Sequence, residues 1–71
     1  MYAQETENVV SELADVHLSA MARAQEATER SRDTLLPLME RLAFRRQALE
    51  SQELADQALR MIHELTANVA A

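Results

Sequence analysis

No glycine occurs in this chain, and its single proline, Pro37, stands near the middle of 71 residues. Sharp turns and left-handed backbone normally draw on glycine, and proline is the strongest interruption of a helix. With both nearly absent, Ala, Leu, Glu, Gln, Arg and Met fill most positions, and these residue types lose least on entering a helix. An all-α fold follows. What remains to be read is where the helix breaks and which sides of it are apolar.

From about residue 6 to residue 32 the apolar side chains keep to one stripe. At about 100° per residue, Val9, Val10, Leu13, Val16, His17, Ala20, Met21, Ala24 and Ala27 fall within a third of the wheel. Glu12, Asp15, Ser19, Arg23, Glu26 and Arg30 lie opposite. The later part of the stripe is mostly alanine, so a partner helix can approach closely there. Ser31-Arg32-Asp33-Thr34-Leu35-Leu36-Pro37 then interrupts the pattern. With Thr34 as N-cap, Pro37 falls in the first turn of a new helix, where its missing N–H costs little. Asp33 is the other candidate cap. In a helix interior the same proline costs about 3 kcal/mol. The expectation is helix 1 at about 6–32, a turn at about 33–36 and helix 2 at about 37–69, in one domain covering residues 1–71.

Helix 2 carries two stripes. Leu35, Leu38, Met39, Leu42 and Leu49 form one, and Phe44, Ala48, Ala55, Ala58, Leu59, Ile62, Leu65 and Val69 form another, rotated by about half the wheel. Either one unbroken helix has two apolar faces, or Glu50-Ser51-Gln52-Glu53 is a second break capped by Ser51. The tetrapeptide holds no Gly, Pro, Asn or Asp, so turn chemistry is weak and the unbroken helix is preferred. Two apolar faces need two covers. Helix 1 can supply one and another chain the other. The expected fold is therefore an antiparallel two-helix hairpin that dimerises into a four-helix bundle, similar to that of ROP-like proteins.

Chemistry is hard to build from these residues. There is no cysteine, which excludes disulfides and thiolate metal sites and suits a reducing cytoplasm. Lysine is absent too, and with it Schiff-base chemistry and the phosphate-loop lysine. His17 and His63 do not stand at the spacing of a helical metal pair. In a hairpin turning near residue 35, position i faces roughly 70 − i, which puts His17 near Glu53 and His63 near Glu7. Met21, Met39 and Met61 sit at stripe positions and read as core filler, with Met39 open to an adaptable binding role. Neither an enzyme nor a cofactor site is expected.

Charge is distributed unevenly. Residues 1–22 carry Glu5, Glu7, Glu12 and Asp15 with no arginine, and residues 47–71 carry four acids against Arg60. Six of the seven arginines lie in residues 23–46. A hairpin gathers the acids at its open end and the arginines at its tip. The overall charge of −5 argues against nucleic acid or anionic lipid as the main partner. The longest near-apolar run, Leu35 to Met39, is too short to span a membrane, and the N-terminus lacks a signal-peptide pattern.

Two family resemblances attach to this outline. Ser51-Gln52-Glu53-Leu54 resembles the start of the Ser-Gln-Glu-Leu-Asp signature of small helical-hairpin phosphatases that act on sporulation response regulators, although Ala55 follows here and Asp56 comes one place late. The size, the hairpin and the segment Ala58-Leu59-Arg60-Met61-Ile62-His63-Glu64-Leu65 are similar to the small co-chaperones of type III secretion needle subunits. The first resemblance implies phosphoryl-aspartate hydrolysis, the second custody of an unpolymerised subunit. A ROP-like bundle implies RNA binding through surface arginines. The residues themselves read as a cytoplasmic, non-enzymatic protein-binding module: an adaptor, co-chaperone or inhibitor of a regulator. Leu35, Leu38, Met39, Leu42, Phe44 and Leu49 form its expected interface, with itself or another protein, and Arg32, Arg41, Arg45 and Arg46 its basic tip.

Overall fold

The structure, a computed structural model, describes residues 2–70, and the side chains of residues 4–67. Two helices, α1 (Tyr2–Ser31) and α2 (Leu38–Ala70), pack against each other as an antiparallel hairpin. α1 begins earlier than the apolar stripe required, because nothing in Gln4-Glu5-Thr6 opposes helix. α2 runs without interruption through Glu50-Ser51-Gln52-Glu53. No described helix is long and apolar enough to cross a membrane.

The turn is made without glycine and without any positive-φ residue among those described. α1 closes by tightening: Arg32 N–H donates to Glu29 O and Asp33 N–H to Arg30 O, both at 3.2 Å, each three residues back. The Asp33 carboxylate then accepts the Leu35 N–H at 3.0 Å, and Asp33 O accepts the Leu36 N–H at 3.1 Å. That is a side-chain-locked turn of the kind aspartate favours. Arg41 N–H donates to Pro37 O at 3.1 Å, so Pro37 stands at the N-cap position of α2. The expected cap, Thr34, is not the one used. Asp33 closes the turn and does not cap α2, which starts at Leu38, and proline's fixed φ sets the exit.

Among the described residues the buried core consists of alanine alone: Ala20, Ala24 and Ala27 on α1, and Ala48, Ala55 and Ala58 on α2. Half-buried residues extend both rows at alternating steps of four and three. Leu13 and His17 precede the α1 alanines and Ser31 follows them. Phe44, Ser51, Ile62 and Leu65 complete the α2 row. This is the spacing of a coiled-coil seam. Methyl-sized contacts favour close helix approach, and the closeness is visible where His17 Nδ1–H reaches across to the backbone oxygen of Ala55 at 2.8 Å. His17 thus faces Ala55 and not Glu53, two positions further along α2 than a symmetric turn predicts.

The seam also revises the α1 stripe. Val9, Val16 and Met21, expected to face α2, are 43%, 41% and 40% exposed, because they flank the alanine row. Val69, placed in the α2 stripe, lies outside the described side chains.

Candidate functional site

A narrow seam buries little, so most large apolar side chains remain outside it. Leu38, Leu42 and Leu49 rise one step around α2 from the alanine row and stay exposed. Together with Thr28, Ser31 and Arg32 of α1 and with Arg41, Arg45 and Ala48, they line a trough of roughly 480 Å³ beside the tip. A second stretch of about 590 Å³ continues it along α1, lined by Leu18, Met21, Gln25 and Gln52 among others. The two share Thr28 and Arg32, so one broad face of the hairpin carries a continuous, solvent-open trough.

The expected interface residues divide among four places. Leu38, Leu42 and Leu49 are brought together in the trough. Leu35 is almost fully exposed in the turn, and Met39 is exposed on the outer side of α2, beyond the trough wall. Phe44 belongs elsewhere: it is half-buried in the seam, with the Arg30 guanidinium 5.4 Å from its ring centroid. Its contact is a cation–π pair inside the hairpin, and it is removed from the outward-facing set. Arg30 also pairs with Glu26 at 2.9 Å.

The arginines divide as well. Arg32, Arg41 and Arg45 line the trough, and Arg46 does not. Among the described residues no ion pair engages any of these four. The Nε of Arg41 is buried and has no hydrogen-bond partner. A buried guanidinium nitrogen lacking an acceptor carries an uncompensated desolvation cost.

Leu18 and Met21 were missed as members of this surface. The signal was present in sequence, since Leu18, Met21, Gln25, Thr28 and Arg32 recur at steps of three and four. On a straight wheel Met21 falls at the edge of the α1 stripe and Leu18 beyond it. Gln52, from the Ser51–Leu54 tetrapeptide, stands in the trough wall. Its side-chain amide donates to Met21 Sδ at 3.7 Å and to Asp56 Oδ1 at 3.2 Å. Among the described residues no three His, Asp or Glu side chains converge as metal ligands would. The trough offers apolar contact along its length and guanidinium donors at one end.

The chain matches no protein-family model, no curated protein and no solved structure.

Proposed function

We propose that this chain is a non-enzymatic protein-binding module, acting as an adaptor, co-chaperone or inhibitor of a regulatory protein. One observation carries the reading. The core is made of alanines while Leu18, Met21, Leu38, Leu42 and Leu49 gather, exposed, on one face. Each leucine gains roughly 1.5–3 kcal/mol on full burial, so the face binds through apolar contact. Arg32, Arg41 and Arg45 orient the incoming surface by its carboxylates. Two copies assembled as a four-helix bundle are the simplest form of such a module. The cytoplasm is the compartment we assign, because a cysteine-free chain draws nothing from an oxidising one.

The test compares three tagged forms recovered from the native cell. Leu42→Glu and Arg41→Glu should each lose a protein held by the wild type, whereas Val16→Glu, on the opposite face, should keep it. Equal retention by all three would remove the trough from the function.

A further inference from the structure

Resting on that reading, we infer that the occupant of the trough is a second copy of this chain, laid antiparallel so that each arginine tip covers the other copy's acidic end. Three observations converge on this occupant.

The first is area. A compact monomer of 8.0 kDa exposes about 4,450 Å² by the usual size scaling, whereas this chain exposes 5787 Å². The excess of roughly 1,300 Å² is more than the ~800 Å² per partner of a standard interface. The radius of gyration, 16.1 Å, likewise exceeds the ~11 Å of a compact chain this long. A second copy removes the excess from both chains at once.

The second is a repeat of the seam. On α2, Leu38, Leu42, Arg45 and Leu49 continue through Gln52, Asp56 and Leu59 at unbroken steps of four and three. On α1 the row from Glu7 through Ala14, Leu18 and Met21 to Arg32 has the same spacing. Helices that present heptad rows on a shared face are built to pack on other helices. The opposite face offers Val9, Val16, Leu54 and Met61, but on α1 these alternate with Glu12, Arg23, Glu26 and Arg30.

The third is charge, and it sets the direction. In these two rows Arg32 and Arg45, with Arg41 beside them, lie at the tip, while Glu7 lies toward the open end and Asp56 just past mid-length. At about 1.5 Å per residue, full antiparallel overlap brings Arg41 and Arg45 to the segment between Glu7 and Asp56 of the second copy, within about one helical turn. The Arg41 and Arg45 side chains lining the trough then face carboxylates. Parallel overlap would set arginine against arginine, a like-charge arrangement that costs affinity.

Because the chain has no cysteine, Thr34→Cys places a unique spin label at the exposed tip. The expected distance between labels approaches the 53 Å length of the hairpin. Parallel dimers would give about 20 Å, the width of two helices, and would overturn the arrangement. Charge exchange supplies the second arm. Arg41→Glu/Arg45→Glu and Glu7→Arg/Asp56→Arg should each weaken self-association by about tenfold or more, and their equimolar mixture should recover it to within about threefold. Failure of the mixture to recover would overturn the pairing of tip with open end. A wild type that light scattering finds monomeric up to its solubility limit would overturn the second copy as occupant. The protein-binding reading would survive that result if Leu42→Glu still abolished capture of a cellular protein, and would fall with it if Leu42→Glu changed nothing.

Discussion

The two sides of α2 use their apolar residues in opposite ways. Toward α1 the helix presents Ala48, Ala55 and Ala58, all buried; one step around, it presents Leu38, Leu42 and Leu49, all exposed. A hairpin meant to stand alone would place its leucines inward, where each gains more than a methyl group can. Here small residues bring the helices close, and close helices leave no room for large ones between them. The large side chains are thereby left on the outer face. The hairpin is thin by construction, and on the dimer proposed above its stability would be tied to association.

Several substitutions would break this contrast or sharpen it. Leu42→Glu should have the largest effect, since in an assembled form it sets a carboxylate in each apolar face. Light scattering should then report a single chain, and the thermal midpoint should lose its dependence on concentration. Val16→Glu should leave both properties in place, and a matching loss there would mean that the two faces are equivalent.

Ala55→Leu attacks the other side. Ala55 is fully buried, and extra carbons in a seam this tight should cost about 1–3 kcal/mol, read as a lower urea midpoint. Wild-type stability in this variant would show that the helices are not held close at Ala55.

Smaller effects refine the picture of the seam. His17→Ala removes the bond to Ala55 O and should cost about 1 kcal/mol, with the oligomeric state unchanged. Arg30→Gln removes both the stacking on Phe44 and the exposed pair with Glu26, for about 0.5–1 kcal/mol. A larger loss from Arg30→Gln than from His17→Ala would place the anchor of the hairpin at its tip and not at mid-length.

Much of the fold was legible because it follows from local chemistry. The absence of glycine and the position of Pro37 suffice for two long helices and one break. The lack of turn residues at Glu50–Glu53 suffices for an unbroken α2. The exposed leucine stripe was legible in part: Leu38, Leu42 and Leu49 lie together as periodicity placed them. Phe44 did not join them, as its place in the stripe with Ala48, Ala55 and Ala58 already implied. The two stripes of α2 lie one step apart and not half the wheel, for a reason that is geometric. Heptad rows advance at 3.5 residues per turn, and a straight 3.6-residue wheel drifts from them by about 20° per heptad. Over the 33 residues of α2 the drift approaches a quarter turn, enough to merge one row with its neighbour. The turn chemistry was ambiguous for another reason. Asp33 and Thr34 both cap helices, and only the path of the chain selects the carboxylate that reaches Leu35 N–H.

The sequence alone therefore determines that this chain is helical, that it folds back once near Pro37, and that its arginines gather at one end, because propensity and charge order are properties of the chain itself. Which alanines meet, which leucines are left outside and which arginines flank them is decided only in the tertiary structure. That outcome depends on the rotation of two helices about their axes, and the rotation is set by how closely the backbones can approach.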